Sequence, residues 1–351
     1  MKKIIILMLA GIGDSLLATP MLTSLRKMYP DAHISVLVMY DAVRDTLLRN
    51  KDIDEVIFFD FMRQGYWKSL FFALRLRKNH YDLSILAYPA NRFQHNFLSF
   101  VIGARRRIAH LYDVHRLRSL SFLETERLPI NAQTHTIDEN LKLLTFLDHY
   151  VPTSSRKMTF SLTQEEKNFA ENYLKERAIT KHDFIIGIHA GSSELAGMTL
   201  KRWPAEKFAQ LCDRLIEQRK AKILLFGGNN EIALKQEIAD LMTHKPLFVN
   251  SITFFQSVAL ISRCSGFICN DTGLMHLASF FNIPTVVVTG HINPIKTQPL
   301  HHRSRILVPD FVCKPYHIGE NLTCLYQGTP NYCLNRISVD DAYRAFMGVL
   351  S

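Results

Sequence analysis

The stretch IIILMLAGIGDSLLATPMLTSLRKM, residues 4–28, decides the fold. An apolar run over Ile4–Leu9 leads into a turn, Ala10–Asp14, and then into a helix-like segment, Ser15–Met28. An apolar run that ends at glycines is typical of a buried parallel strand. The turn opens a helix at the carboxyl end of this strand, where α/β proteins bind ligands. The carboxylate of Asp14 is therefore the first candidate for chemistry.

Length and composition indicate a globular protein of two domains. The chain has 351 residues, of which 47% are hydrophobic and 21% charged, and this is enough for two cores of ordinary size. No apolar run approaches the roughly 20 residues that a membrane span needs. The N-terminus shows no signal-peptide cleavage pattern, so we expect a cytoplasmic location. Six cysteines in a chain of this length do not indicate a disulfide framework.

The net charge of +10 suits an anionic lipid surface, a phosphate-bearing substrate or nucleic acid. Zinc-finger spacing, RNP-like aromatic motifs and Gly/Arg-rich tails are absent from the sequence, so we expect no nucleic-acid partner. The densest basic stretch runs from Arg105 to Arg118. It could cover a membrane surface or an anionic acceptor, or it could be a solvated loop.

Strands alternate with helices through the first half of the chain. The predicted strands after the first are His33–Met39, Glu55–Phe59, Asp82–Tyr88 and Arg107–His110, and the predicted helices are Asp41–Leu48, Tyr66–Lys78, Asn91–Ile102 and His135–Leu147. The stretch Leu111–Ala132 is irregular, and Val151–Thr163 is the best linker candidate. We predict a first domain over residues 1–160, a second over 161–337 and a C-terminal helix over 338–351.

The second half repeats the alternation. A capping box at Thr163–Glu166 opens a helix that runs to about Arg177. The further predicted strands are Phe184–His189, Lys222–Phe226, Leu247–Asn250, Gly266–Cys269 and Thr285–Val288, and the further helices are Pro204–Glu217, Phe254–Ser262, Leu274–Phe281 and one capped by Ser338. We therefore predict an α/β protein of two Rossmann-like, doubly wound domains that face each other across a central cleft.

Asp14 has two interpretations. An Asp at the start of a helix is often an N-cap, and it can also act as a general base on a neutral hydroxyl. Gly11-Ile12-Gly13 is not the dinucleotide fingerprint, because the third glycine is missing. A carboxylate would repel a phosphate at this position.

Four loops of the second half carry candidate ligand-binding groups. The first, His189-Ala190-Gly191-Ser192-Ser193, offers N–H and hydroxyl donors at the end of a strand. Lys201, just before a helix, could neutralise a leaving phosphate or be an ordinary surface cation. Glu231 follows Gly227-Gly228 and could accept from a ribose hydroxyl, cap a helix or be solvated.

The last loop is Asn270-Asp271-Thr272-Gly273-Leu274-Met275-His276-Leu277-Ala278. Asp271 or Thr272 can cap the helix that follows, and the N–H groups of Thr272, Gly273 and Leu274 can face an anion. His276 lies about one turn into this helix and faces either the cleft or the core.

Two patterns imitate metal sites. Asp52-Ile53-Asp54 has the Asp-x-Asp spacing of metal-dependent sugar-nucleotide enzymes, but it precedes a strand and we interpret it as a turn. Cys313, Cys324 and Cys333, with His317, could hold zinc or iron, although they lack a Cys-x-x-Cys pair. The predicted site contains no metal, and metal binding by these cysteines stays open.

Taken together, the motifs resemble those of glycosyltransferase family 9, the ADP-heptose:lipopolysaccharide heptosyltransferases. The matching stretches are Gly13–Pro20, His189–Ser192, Lys201–Pro204, Phe226–Gly228, Asn270–Ala278 and the ending Cys333-Leu334 with Ile337. Asp-Thr-Gly-x-x-His-Leu-Ala is the most specific of them.

The resemblance implies a GT-B fold with the acceptor on the first domain and the nucleotide sugar on the second. It implies inverting transfer from ADP-heptose to a lipopolysaccharide core sugar or lipid A precursor, without cofactor or metal, at the inner membrane surface. The implied catalytic residues are Asp14 as base and Lys201 as phosphate partner. The implied donor-binding residues are Ser192, Ser193, Lys201, Glu231 (for the ribose), Asp271, Thr272, Gly273 and His276, and Gly13 and Arg92 lie on the acceptor side.

Two other functions remain open. One is a GT-B transferase that uses another nucleotide sugar or a protein acceptor. The other is a non-catalytic nucleotide-sugar-binding protein, against which Asp14 and Lys201 argue, because a binder needs no base. A dehydrogenase is disfavoured by the missing third glycine.

Overall fold

A computed structural model describes residues 2–90, 92–112, 119–148, 156–290, 293–310 and 331–351. The chain divides into two compact units, Met1–Ser161 and Leu162–Ser351. The C-terminal helix belongs to the second unit, and residues 151–155 of the predicted linker lie outside the described residues.

In the described part of the first unit, six parallel strands form one sheet in the order β3-β2-β1-β4-β5-β6. The strands are β1 (Lys3–Met8), β2 (His33–Val38), β3 (Glu55–Phe58), β4 (Leu83–Leu86), β5 (Arg106–Leu111) and β6 (Glu126–Pro129). The helices are α1 (Ile12–Met28), α2 (Asp41–Leu47), α3 (Phe61–Arg77), α4 (Phe93–Ile102) and α5 (Thr136–Lys142), with 3-10 turns at Ser121–Leu123 and Leu143–Phe146. This is the doubly wound order, in which the direction of winding reverses between the neighbouring strands β1 and β4.

β1 lies at the centre of this sheet because its side chains are apolar on both faces. Ile4–Leu7 are fully buried, and Leu7 is paired with Leu37 on one side and Leu86 on the other. The loops that follow β1 and β4 therefore leave the same sheet edge side by side, at the point where such folds bind ligands.

α1 begins three residues earlier than predicted, at Ile12. Gly11 takes the N-cap position with extended backbone, so the predicted turn residues Ile12, Gly13 and Asp14 already form the first helical turn. The start of the helix was predicted too late because glycines lower helix propensity. The packing of the buried residues that follow nevertheless stabilises a helix from Ile12 onward.

The spacing of Leu70, Phe71 and Leu74 predicted the helix Tyr66–Lys78, and α3 begins five residues earlier, at Phe61. Asp60 caps the helix by accepting hydrogen bonds from Met62 N–H and Arg63 N–H, and Gly65 kinks it at φ 74°. Beyond the kink Phe71 and Leu74 point into solvent instead of the core. The periodicity identified the helix correctly, but not the face that is buried.

The basic stretch after α4 is partly structural. Arg106 pairs with Glu126 at 2.8 Å across β5 and β6, and Arg107 donates to Leu123 O at 2.9 Å. Arg105 is exposed, and residues 113–118 lie outside the described part of the chain. The solvated-loop interpretation is therefore wrong for Arg106 and Arg107.

Glu124 is a buried acid beneath α4. Its Oε2 accepts a hydrogen bond from the Ser99 hydroxyl at 3.1 Å. Burial raises the pKa of Glu124 to about 7, against the opposing effects of Ser99 and the charge of Arg107. The ordinary value is 4.5, so the folded chain binds this proton more tightly than the unfolded chain does.

This shift predicts a pH-dependent stability. The contribution of protonated Glu124 is fully present below the unfolded pKa and is lost as the pH rises through 7. Glu124→Gln should raise the free energy of unfolding at about pH 8 by up to about 3 kcal/mol and leave it nearly unchanged at about pH 4.5. Urea unfolding at both pH values measures this, with the exposed Glu165→Gln on the second unit as control. Parallel pH profiles for Glu124→Gln and the unmodified chain would contradict the assignment.

The second unit repeats the same topology. Among its described residues six parallel strands have the order β12-β11-β10-β7-β8-β9. The strands are β7 (Ile185–His189), β8 (Lys222–Leu225), β9 (Leu247–Phe248), β10 (Gly266–Asn270), β11 (Thr285–Val288) and β12 (Ser304–Leu307). The helices are α6 (Gln164–Lys175), α7 (Ala205–Arg219), α8 (Ile232–Leu241), α9 (Phe254–Ile261), α10 (Gly273–Phe280), α11 (Pro294–Thr297), α12 (Tyr332–Asn335) and α13 (Val339–Leu350), with 3-10 turns at Leu195–Lys201 and Asn229–Glu231.

Hydrophobic cores lie on both faces of this sheet. α7 and α13 cover one face, where Phe208 and Phe346 are fully buried, and α6 and α9 cover the other. The predicted caps are confirmed at α6 by Thr163 and at α13 by Ser338. The direction of winding reverses between β7 and β10, which places the loops after these strands at the ligand-binding edge. None of the helices in the described ranges has the length and apolar character that a membrane crossing requires.

Candidate active site

Asp14 lies in the first turn of α1, at the carboxyl edge of the first sheet. Its side chain is half-buried, and the helix is capped at Gly11 without a side-chain hydrogen bond. The N-cap interpretation of Asp14 is therefore wrong. A carboxylate in the first helical turn interacts favourably with the helix dipole.

A shallow pocket beside Asp14 joins the loops that follow β1 and β4. It is lined by Met8, Leu9, Ala10, Asp14, Ser15, Ala18, Ala87 and Tyr88. Burial raises the pKa of Tyr88, and the negative charges of Asp14 and Glu139 raise it further. Tyr88 therefore keeps its phenolic proton beside Asp14 at neutral pH.

A buried aromatic and ionic group holds Tyr88 in place. The ring of Tyr88 meets His110 edge to face at 5.6 Å and stacks on Tyr112 at 6.2 Å. His110 Nε2 lies 3.3 Å from Glu139 Oε2, and both side chains are almost completely buried. Sequence reasoning missed this group, although the polar and aromatic side chains of His110 and Tyr112 near the end of a buried strand were a visible signal.

The two predicted acceptor-side residues occupy the same sheet edge. Gly13 is the second residue of α1, and Arg92 is the exposed N-cap of α4. Burial raises the pKa of Tyr40, which follows β2, and the charge of Arg92 opposes that rise. Burial and then Arg92 lower the pKa of His95 to about 4, so its imidazole is neutral at neutral pH. The edge thus carries the charged groups of Asp14 and Arg92 beside neutral groups that can form hydrogen bonds.

In the second unit, one histidine links two loops of the sheet edge. His189 is the last residue of β7. Its Nδ1 lies 3.0 Å from the Thr272 hydroxyl, and its Nε2 lies 3.2 Å from Glu231 Oε2. The structure thus links two predicted donor-binding residues, Thr272 and Glu231, through the imidazole of His189. The sequence analysis had considered only the backbone N–H and hydroxyl groups of this loop, not the His189 side chain.

Glu231 is buried and tightly held. Its Oε2 also accepts a hydrogen bond from Gly228 N–H at 2.8 Å. Burial tends to raise the pKa of Glu231, but His189, Gly228 N–H and the charge of Arg202 together hold it below its usual value. A Cβ atom added at Gly191 would come within 1.6 Å of Glu231 Oε1, so only glycine leaves room for this carboxylate. The solvated interpretation of Glu231 is wrong.

Lys201 and Asp271 form an ion pair at this edge, with Nζ and Oδ2 3.5 Å apart and both side chains largely buried. Asn270, fully buried, positions their loops: its Oδ1 accepts from Trp203 N–H at 3.0 Å and its Nδ2 donates to Ala190 O at 2.6 Å. The surface-cation interpretation of Lys201 is therefore wrong.

The N-terminus of α10 faces the same edge. Thr272 occupies the N-cap position but makes no capping hydrogen bond, because its hydroxyl lies against His189. The first N–H groups of the helix, at Gly273 and Leu274, therefore lack a side-chain cap and can bind an anion. The side chain of His276, one turn further along α10, is buried.

The predicted serines differ in their environment. The Ser192 hydroxyl donates to Met198 O at 2.9 Å and accepts from Arg202 Nε at 3.0 Å, so it organises the loop. Ser193 is exposed. The sequence analysis did not assign a role to Arg202, which holds Ser192 in place. Its position next to Lys201 was the only sequence feature that pointed to it.

The Asp-x-Asp pattern belongs to a structural turn, and most of the cysteine pattern lies outside the described residues. Asp52 accepts a hydrogen bond from the Thr23 hydroxyl, and Asp54 accepts from Arg26 and from Ile34 N–H, as expected for a structural turn. Cys313, His317 and Cys324 lie outside the described ranges, and Cys333 is buried. In the described part of the chain no three metal-ligating side chains come together.

Comparison with known proteins shows the family and the fold of the chain. Lipopolysaccharide heptosyltransferase 2 of Escherichia coli K12 is 23% identical over 315 residues, which cover 87% of each chain. Lipopolysaccharide heptosyltransferase 3 of the same strain is 27% identical over 300 residues, 82% of each chain. The solved structure of E. coli ADP-heptose lps heptosyltransferase II has a TM-score of 0.73 at 20% identity and covers 100% of this chain and 98% of that one, which shows a GT-B fold. Residues 70–323 match the profile "Glycosyltransferase family 9 (heptosyltransferase)", and the chain therefore belongs to glycosyltransferase family 9.

Proposed function

We propose that this glycosyltransferase moves heptose from ADP-heptose to a lipopolysaccharide inner-core sugar, with inversion and without metal or cofactor. Family membership and relatives named as lipopolysaccharide heptosyltransferases support the donor and acceptor classes. The observation that carries the proposal is the grouping of Lys201, the uncapped N-terminus of α10 and the Glu231–His189 pair at one sheet edge of the second unit.

The donor fits these groups by charge. Lys201 and the N–H groups of Gly273 and Leu274 would bind the diphosphate. Glu231, kept ionised by its neighbours, would accept a hydrogen bond from a ribose hydroxyl. Asp271 would fix Lys201, and Ser193 and His276 would lie on the donor side.

The acceptor and the reaction fit the first unit. An acceptor hydroxyl beside Asp14 would lose its proton to this carboxylate while its oxygen attacks the anomeric carbon of heptose. The bond from that carbon to the β-phosphate oxygen breaks, and ADP leaves with the bonding electron pair. Lys201 would stabilise the charge that develops on ADP, so a single displacement needs no metal.

A lipid-borne acceptor places the enzyme at a membrane. We propose that the protein works in the cytoplasm, as a peripheral protein on the inner face of the cytoplasmic membrane, without nucleic acid as a partner. The net charge of +10 favours such a surface, since anionic lipids attract basic proteins.

A panel of nucleotide sugars tests the donor class. ADP-heptose and ADP should raise the thermal midpoint, since a ligand at about 100 times its Kd adds about 2.7 kcal/mol of stability. UDP- and GDP-sugars should have little effect. A shift with another nucleotide sugar alone would favour the alternative transferase, and no shift with any ADP compound would contradict the proposal. Donor binding without ADP release in the presence of acceptor would favour a non-catalytic binding protein.

A further inference from the structure

The solvent side of α3 carries large apolar residues. Trp67, Phe71 and Leu74 follow the spacing i, i+4, i+7 and so share one face of the helix. They are 75%, 68% and 43% exposed. The opposite side of the helix, with Ala73 and Leu76, is buried in the core, so this helix is apolar on both sides.

α4 repeats the pattern beside it. Phe93, Phe97 and Phe100 have the same i, i+4, i+7 spacing and are 47%, 44% and 42% exposed. α3 packs against α4, and Arg77 Nη1 donates to Val101 O at 3.3 Å between them. We call the six side chains Trp67, Phe71, Leu74, Phe93, Phe97 and Phe100 the α3–α4 face.

Positive charge is concentrated around this face. Residues 61–112 contain nine Lys and Arg and a single acidic residue, Asp82; two of the nine, Arg63 and Arg106, lie beside the carboxylates of Asp60 and Glu126. Lys68 and Arg75 are exposed on α3 itself, and Lys78 is exposed at its C-cap. Arg105, just after α4, has 85% of its side chain exposed.

This combination selects among possible partners. Adjacent exposed aromatic residues on one face of a monomer mark an interaction site. Two copies of the same positively charged face would repel each other, which disfavours a symmetric dimer. Aromatic side chains within a ring of Lys and Arg match the boundary of an anionic bilayer, where the rings enter the headgroup region and the cations meet lipid phosphates.

We propose that the α3–α4 face docks the enzyme on an anionic lipid bilayer. The inference extends the proposed function, which requires access to a lipid-borne acceptor, by naming the surface that makes contact. α4 begins directly after Arg92, so the docking surface and the proposed acceptor edge share one helix. Docking would therefore bring the acceptor edge close to the headgroups.

Tryptophan fluorescence provides a direct test on the whole chain. The protein has two tryptophans, and Trp203 is buried at 1% exposure, so quenching by aqueous acrylamide reports on Trp67. Vesicles of phosphatidylglycerol and phosphatidylcholine should shift the emission to the blue and protect Trp67 from acrylamide. Vesicles of phosphatidylcholine alone should do so at least about tenfold less effectively.

Matched variants test whether vesicle binding depends on this particular surface or only on the overall charge and exposed apolar area of the protein. Phe71→Gln/Phe97→Gln and Lys68→Gln/Arg75→Gln/Lys78→Gln should each weaken vesicle partitioning by about tenfold or more. The controls remove equally exposed groups elsewhere: Leu48→Gln/Leu241→Gln and Lys175→Gln/Lys181→Gln/Lys245→Gln. These controls should bind vesicles like the unmodified protein, and circular dichroism should show that all four variants are folded.

Turnover with two acceptors distinguishes this inference from the proposed function. The face variants should keep the normal rate on a delipidated core acceptor and lose rate on the acceptor embedded in vesicles. Absent transfer to either acceptor, with vesicle binding intact, would refute the proposed function and leave the docking surface standing. Equal vesicle binding by face variants and controls would overturn the docking surface, as would lipid-independent protection of Trp67 that rises with protein concentration, which indicates self-association.

Discussion

The Asp14→Asn enzyme is expected to release ADP from ADP-heptose about 10³-fold more slowly than the unmodified enzyme in the presence of acceptor. A positioned general base typically contributes 10²–10⁴-fold, and asparagine keeps the shape of the side chain but cannot take the proton. Steady-state ADP release measures the loss of kcat, and isothermal titration measures donor affinity. The Kd for ADP-heptose should change by less than about threefold, since the account places the donor in the second unit.

Asp138→Asn is the matched control for this variant. Asp138 also lies in the first turn of a helix of the first unit, α5, but its carboxylate pairs with Arg156 at 3.0 Å. Both substitutions remove a negative charge from a helix N-terminus and should cost about 0.3–1 kcal/mol of stability. If Asp14→Asn turns over donor as fast as Asp138→Asn, Asp14 is not the base.

Lys201→Met is expected to lower kcat/KM for ADP-heptose by about 10²–10³-fold. A cation aimed at a developing charge typically contributes about this much, and methionine fills a similar volume without charge. Unlike Asp14→Asn, this variant should also weaken binding of ADP itself, because the diphosphate is present in both donor and product. Titration with ADP and steady-state kinetics measure the two effects separately.

The pairing of Lys201 with Asp271 calls for a second variant. Removing Lys201 leaves the largely buried carboxylate of Asp271 without this partner, which alone could damage the site. In Lys201→Met/Asp271→Asn that buried charge is gone, so a purely structural role of Lys201 predicts recovery of activity. The account predicts that the double variant stays at least as slow as Lys201→Met, and recovery to near the unmodified rate would contradict it.

Local patterns were sufficient to predict the central elements of the fold. The predicted strand His33–Met39 differs by one residue from β2, because β-branched and apolar residues such as Ile34, Val36 and Val38 favour a buried strand. The edge strands β6 and β12 were not predicted, since their sequences, ERLP and SRIL, lack that run and are fixed by pairing with a neighbouring strand.

In the candidate site, too, local motifs identified individual residues but not the contacts between residues that are distant in sequence. Lys201 and Asp271 were identified from their loops, but their 3.5 Å contact joins residues 70 positions apart, which no local pattern specifies. The same holds for His189 with Glu231, and for Tyr88 with His110 and Glu139 beside Asp14. The exposed side of α3 was missed for a different reason: periodicity shows that apolar residues share a face but not whether a neighbouring element covers it.

The most direct test of the central claim is a single product analysis. ADP-heptose and a delipidated inner-core acceptor that lacks heptose are incubated with the enzyme in excess EDTA, and NMR determines the anomeric configuration of the new glycosidic bond. The account predicts one heptose added per ADP formed, with inverted configuration and an undiminished rate in EDTA. A product of retained configuration, a rate abolished by EDTA and restored by a divalent metal, or no product from ADP-heptose would contradict it.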